Sequence, residues 1–334
     1  MTEVVPAGPL AALLAEPEVT DVLVNGVQVW VDRGAGLVRA PLTLGSGDDV
    51  RRLAQRLATA AGRRLDDSCP YVDARLADGS RMHAVLPPIA TNGPYLSLRT
   101  FRLRHHPLAE LVPPHLAELL LAMVRARLSL LISGGTGSGK TTLLNALLSV
   151  VPARERIVTV EDAAELCPAH PHVVGLQTRV SNVEGSGAVS LADLVRQALR
   201  MRPDRLIVGE VRGVEVVDLL NALNTGHEGG ATTLHANAAG EVPVRLEGLG
   251  LLGRLPLEAS RAQLAAAIQV ILHLRRSATG RELVEICLLR RSGPSGAVIS
   301  WPAWHRVSGI GPAAHVLIRM LADRGVTGPG WFRP

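Results

Sequence analysis

Lysine is almost missing from this chain. Of its 35 basic residues, Lys140 is the single lysine and the rest are arginine. A high-GC genome would explain the arginine surplus. The one lysine that remains marks a place needing a compact ammonium, not a planar fork. Aromatic residues are scarce too, with 4 Trp, 2 Tyr and 2 Phe in 334 residues. The cores must therefore be built from Leu, Val, Ile and Ala, and the stacking platforms of a single-stranded nucleic-acid binder are lacking. The 3 cysteines, Cys69, Cys167 and Cys287, are widely spaced and form no CxxC pair. That argues against structural zinc and disulfides, and fits a reducing cytoplasm. The start, "MTEVVPAGPL", has neither the basic n-region nor the apolar stretch of a signal peptide. The most apolar run, "LLLAMVRARLSLLI", is broken by Arg125 and Arg127, and nothing approaches the ~20 apolar residues that span a bilayer. The expectation is a soluble protein that meets a membrane only at its surface.

What is present is a globular chain. Hydrophobic residues make up 47% of it and the net charge is +5, enough for two domains with cores of their own. Residues 1–103 read as a smaller α+β domain. "TDVLVNG" and "VQVWVDR" alternate as a hairpin, and "GDDVRRLAQRLATAAG" has helical spacing closed by Gly62. "YVDARL" and "SRMHAVLPP" flank an Asp78-Gly79 turn, and "PYLSLRTF" is a further strand. The proline-rich, basic stretch 104–114 reads as a linker. From 115 to 334 the pattern alternates. "LSLLIS", "RIVTVED", "RLIVGE" and "GATTLHA" read as buried strands. They alternate with the helices "GKTTLLNALLSVV", "SLADLVRQALRM" and "VEVVDLLNALNTG", which predicts a mainly parallel α/β sheet.

"GGTGSGKT" at 134–141 fits G-x-x-x-x-G-K-[ST] and lies between a strand and a helix, the setting that separates a P-loop from a chance match. Gly134, Gly135, Thr136, Gly137, Ser138 and Gly139 would wrap phosphates with backbone N–H groups, with Thr142 in the helix behind them. Lys140 would reach the β- and γ-phosphates, and the Thr141 hydroxyl would hold Mg²⁺. ATP and Mg²⁺ are the implied ligands. "RLIVGE" ends in Glu210, placed to orient the attacking water or to hold Mg²⁺ through water. "VEDAAE" adds Glu161, Asp162 and Glu165 at another strand end. In "NTGHEGGATTLHAN", His227 and His235 stand around a glycine pair. A zinc site needs three or four ligands, and the neighbourhood supplies no cysteine and no HxxxH. His227 therefore reads as a turn or subunit-contact residue, and His235 as one carried toward the nucleotide.

In order, the P-loop, "VEDAAEL", "RPDRLIVGEVRG" and "TGHEGGATTLHAN" resemble the Walker A, Asp box, Walker B and His box of the type II/type IV secretion ATPase superfamily. "EVTDVLVNG", "VDARLADGSRMHAVLPP" and "LSLRTF" look like the N-terminal domain of its Tad/Flp pilus branch. The resemblance covers roughly residues 15–290. It implies a RecA-like P-loop NTPase domain behind the smaller N-terminal domain, and a homo-hexamer that hydrolyses ATP to power pilus assembly or type II/IV secretion. Such an enzyme works in the cytoplasm, against an inner-membrane platform protein. The resemblance further implies Glu210 and Glu165 as catalytic carboxylates and His235 near the γ-phosphate. Glu161 and His227 would lie at the nucleotide. Arg81, Arg99 and Arg102 fall where the family keeps phosphate-contacting arginines. The four-cysteine zinc site of other branches cannot be built here. The longer N-terminal region of many Tad relatives is expected to be missing. A nucleic-acid motor, such as a conjugative DNA translocase or helicase, is the competing reading, weakened by dispersed charge and few aromatics.

Overall fold

The computed structural model describes residues 7–100, 105–179, 187–277, 280–293 and 296–332. Two compact units divide the chain, Met1–Leu103 and Arg104–Pro334.

The first unit opens with a short helix, α1 (Ala11–Ala15), and a meander of β1 (Asp21–Asn25), β2 (Gln28–Asp32) and β3 (Leu37–Thr43). Helix α2 (Gly47–Ala60) follows, then β4 (Tyr71–Arg75), β5 (Arg81–Val85) and β6 (Tyr95–Arg99). All pairings are antiparallel, and the order is β3-β2-β1-β6-β5-β4. Alternation decides which face is buried. Val22, Val24, Val29, Val31, Met82, Ala84, Leu96 and Leu98 point one way, onto Val50, Leu53 and Leu57 of α2. Ser46 starts α2 with a full capping box to Asp49, an arrangement worth about 1 kcal/mol to the helix. β3 was not expected from the sequence, because Pro41 interrupts its pattern and it lies at a sheet edge, where half a strand need not be apolar.

The second unit begins with α3 (Leu108–Leu111) and α4 (Pro114–Arg125). Residues 108–112, expected to be linker, contribute buried Leu108 and Val112 to this unit's core. β7 (Leu130–Gly134), α5 (Lys140–Ser149), β8 (Ile157–Glu161) and β9 (Val173–Gln177) come next. They are followed by α6 (Leu191–Ala198), β10 (Arg205–Val208), α7 (Glu215–Asn224) and β11 (Ala231–His235). The chain continues through α8 (Val242–Leu252), α9 (Leu257–Ala267), β12 (Val270–Ser277) and β13 (Gly280–Ser292). It ends with β14 (Ala297–His305), β15 (Gly309–Ile310) and α10 (Ala314–Ala322).

These strands form one nine-stranded sheet ordered β15-β14-β13-β12-β7-β11-β10-β8-β9. It is parallel from β12 to β9 and antiparallel from β12 outward to β15. Period-2 alternation divides its apolar residues between two cores. Leu130, Ile132, Ile207, Val270 and Leu272 pack with α4, α5 and α10, while Leu131, Leu206, Val208 and Ile271 pack with α6, α7, α8 and α9. Helices thus cover both faces, as a buried parallel sheet requires. Among the described residues, no helix is long and apolar enough to cross a membrane.

Candidate active site

Parallel strands leave their C-terminal ends along one edge of a sheet, and ligands gather there. At that edge β7 ends in Gly134 and β11 in His235, and the register places these two residues directly opposite each other. β8 ends in Glu161, and Gly209 and Glu210 follow the last residue of β10. Four of the sequence blocks therefore converge through strand pairing alone.

Residues 134–139 close as a tight loop into the first turn of α5. Gly134, Gly137 and Gly139 have φ of +153°, +71° and +93°, values that side-chain-bearing residues rarely adopt. A Cβ on Gly134 would come within 2.4 Å of the Leu274 carbonyl and 2.5 Å of Ser138 Oγ. Gly135 is different, with open space on its Cβ side. The Ser138 hydroxyl is buried with no hydrogen-bond partner among the described residues.

Lys140 is 8% exposed. Its ammonium folds back onto the loop, donating to the carbonyls of Gly134 and Gly135 at 3.0 Å each, and lies 3.5 Å from His235 Nδ1. Burial holds its pKa below the ordinary lysine value, against the pull of the Glu210 carboxylate. An ammonium can only donate, so Nδ1 of His235 is the acceptor and the ring proton sits on Nε2. Nε2 in turn faces Glu210 Oε1 at 2.9 Å. That contact is close but off the N–H axis, and Oε1 has no aligned donor among the described residues. Burial, and then the neighbouring Lys140 charge, keep the His235 ring below the usual imidazole range. A continuous row runs Lys140–His235–Glu210.

Arg212 completes it. Its Nε and a terminal nitrogen both donate to Glu210 Oε2, Nε at 2.9 Å. One carboxylate oxygen is thus tied, and the other has no aligned donor among the described residues. Arg212 was not singled out in the sequence, although it stands two residues from Glu210 in the same loop.

Two buried glutamates hold the loops in place. Glu161, 5% exposed, accepts the backbone N–H groups of Glu165 and Leu166 at 2.9 and 3.0 Å. Glu215, 6% exposed, does the same for Arg212 and Gly213 at 2.6 and 2.8 Å. Glu161, expected at the nucleotide, therefore shapes the loop that carries Glu165. It also explains the glycine before Glu210, because a Cβ on Gly209 would lie 2.7 Å from Glu161 Cγ. Asn145 of α5 fastens the same loop from the P-loop side, accepting from Cys167 N at 2.8 Å. The Glu165 carboxylate lies close enough to act electrostatically on both Lys140 and Arg212.

His227 lies elsewhere. Its Nδ1–H donates to the Ala222 carbonyl at 3.2 Å, closing the end of α7. It precedes β11, whereas His235 ends it. At roughly 3.3 Å per residue, a five-residue strand holds the two rings at opposite edges of the sheet. His227 is therefore a helix-capping residue and not part of the phosphate loop's surroundings. Thr141 and Thr142 occupy the first turn of α5. In the N-terminal unit, Arg81 of β5 and Arg99 of β6 are cross-strand partners on the face away from α2. Arg102 lies outside the described residues.

The arrangement fits a nucleotide triphosphate and its Mg²⁺. The loop is a cradle that side chains would fill, with a buried unpartnered hydroxyl in it. Among the described residues no three acidic or histidine side chains gather as a metal site, which suits Mg²⁺, a cation held through one or two protein oxygens, substrate phosphates and water.

Comparison with known proteins agrees. The family model described as type II/IV secretion system protein matches residues 4–291. A putative conjugal transfer protein of Mycobacterium tuberculosis is 54% identical over 336 aligned positions, covering 96% of each chain. The conjugal transfer protein TrbB of Rhizobium radiobacter is 34% identical, over 83% of this chain and 85% of its own. Among solved structures, the pilus retraction motor PilT with bound ADP superposes with a TM-score of 0.61 at 23% identity, covering 84% of this chain and 82% of that one. That likeness concerns the fold: a RecA-like domain behind a smaller N-terminal domain. With the P-loop, both acidic strand ends and the His235 strand at one edge of the sheet, this chain belongs to the type II/IV secretion ATPase superfamily.

Proposed function

We propose that the chain hydrolyses ATP in this crevice and turns hydrolysis into movement that drives a secretion or Tad/Flp-type pilus apparatus. The observation that carries the proposal is the Lys140–His235–Glu210 row at the mouth of the P-loop. ATP entering the loop offers phosphate oxygens that outbid the Gly134 and Gly135 carbonyls for Lys140. As the ammonium turns toward the phosphates, it leaves His235 Nδ1. Glu210, held through Oε2 by Arg212, keeps Oε1 available to orient a water and take its proton as the water attacks the γ-phosphorus. Mg²⁺, held by Thr141, supplies charge neutralisation on the phosphate oxygens when bound. His235 feels both the lysine's departure and the carboxylate's protonation, so it is placed to transmit phosphate loss to β11.

In this reading the working form is a cytoplasmic homo-hexamer on an inner-membrane platform protein, with Arg81, Arg99 and Arg102 supplying charge to the transferred phosphoryl group. The relatives named as conjugal transfer proteins favour a second reading, in which the moved cargo includes DNA.

Steady-state ATPase assays on the full chain test both. Lys140→Ala should abolish turnover, and Glu210→Gln should spare ATP binding while lowering kcat roughly 10²–10⁴-fold. Normal hydrolysis by Lys140→Ala would sink the site assignment. Strong stimulation by single-stranded DNA would favour the second reading, and sedimentation with nucleotide would reveal the assembly state.

A further inference from the structure

The P-loop has a second flank. β12 runs parallel to β7 on the side away from β11, and its pairing reaches Leu274 opposite Gly134. The strand then continues beyond the end of β7 through Arg275 and Arg276, and β13 returns with Arg281 directly opposite Arg276. Directly opposed residues share a face. Arg281 Nε donates to the Gly137 carbonyl at 3.0 Å, and its Cδ lies 3.2 Å from where a Cβ on Gly139 would stand. Arg276 Nη1 comes within 3.4 Å of the same position on Gly137. Both arginines are exposed. The terminal nitrogens of Arg281 have no hydrogen-bond partner among the described residues.

Glu210 and His235 lie on the β11–β10 flank of the loop, the arginines on the β12–β13 flank. A triphosphate wrapped by the loop with its γ end toward Glu210 presents its α end to the arginines. We propose that Arg281 is the ligand of the nucleotide's α-phosphate. Nε braces the loop and the terminal nitrogens bind an α oxygen. This rests on the nucleotide reading above, and it adds a residue more than a hundred positions from the P-loop that no motif marks.

The test measures affinity of the full chain for ADP and for the two diastereomers of adenosine 5′-O-(1-thiodiphosphate), with a chelator present so that no metal selects between them. A direct contact to one α oxygen makes wild type prefer one diastereomer. Arg281→Ala should lower ADP affinity roughly tenfold or more, as for loss of a charge-assisted hydrogen bond, and bring the diastereomer ratio to about one. Arg281→Lys, which keeps the charge and most of the stem, should fall between. An unchanged affinity, equal binding of both diastereomers by wild type, or a ratio preserved in Arg281→Ala would each overturn the assignment. The last outcome would leave Arg281 as a loop brace only. Lys140→Ala separates the two failures. ADP binding that survives it removes the nucleotide reading itself, whereas binding lost there with the ratio kept in Arg281→Ala removes only the arginine.

Discussion

That Lys140, Glu210 and His235 meet at one sheet edge was legible in the sequence, because each stands in a contiguous motif or at the end of an apolar strand run. Their partners were not. Arg281 reaches Gly137 across 144 positions, and Glu215 matters only because burial aims it at its own loop; neither spacing has a signature in one dimension. Of the two readings of His227, its bond to Ala222 fits the turn and not the nucleotide, since proximity to His235 along a strand means opposite ends of it. The charge state of His235 follows from its surroundings. Its pKa is held below the ordinary value of about 6.5 by burial and by Lys140. The neutral ring is therefore the working form at neutral pH, and protonation comes only as pH falls through the depressed folded value. A protonated Nδ1 would become a donor facing an ammonium. We expect kcat/KM to be flat above pH 6.5 and to fall on the acid side with a midpoint below it. His235→Gln should move that limb down to the carboxylate range. An acid limb identical in the variant would mean another group controls it.

The elements of the second unit were read well where each had a motif or cap. The segment "SLADLVRQALRM" forms α6, opened by a reciprocal capping box between Ser190 and Asp193. β12 to β15 were missed. β12 follows α9 without a glycine or proline break, and a strand buried on both faces, such as "VILHL", shows no alternation. Yet these strands wall one side of the phosphate loop. Their closeness makes its glycines unequal, although the motif treats them alike. Gly134→Ala would drive a methyl into the Leu274 carbonyl at a φ of +153°, whereas Gly135→Ala meets nothing within 4 Å. We expect Gly134→Ala to abolish nucleotide binding and lower the melting temperature, and Gly135→Ala to retain the fold and much of the binding. Thermal melts with and without ADP would distinguish them, and equal losses would contradict the packing described.

Two units, each with its own core, and a sheet covered on both faces were foreseeable from the change in hydrophobic period near residue 104. What the sequence hid is how the arginine surplus is used. Arg205 is 2% exposed, pairs with Glu155 at 2.6 Å and donates to the carbonyls of Val124 and Gly229. Five fixed donors suit such a tie, and a single ammonium does not. Arginine here is structural mortar as well as surface charge, which is why its abundance pointed to no function. The site instead depends on loops fixed by the two buried glutamates and by Asn145, all within the second unit.

The single lysine has one more consequence. A lysine-specific endoprotease finds one scissile bond in the whole chain, after Lys140, at the start of α5 and almost wholly buried. Cleavage must wait for that turn to open, so its rate reports how often the phosphate loop comes apart. Saturating ADP should slow the cut in proportion to binding, and a rate indifferent to ADP would place the nucleotide elsewhere. The chain thus carries its own proteolytic gauge of site occupancy, readable as two bands on a gel without any label.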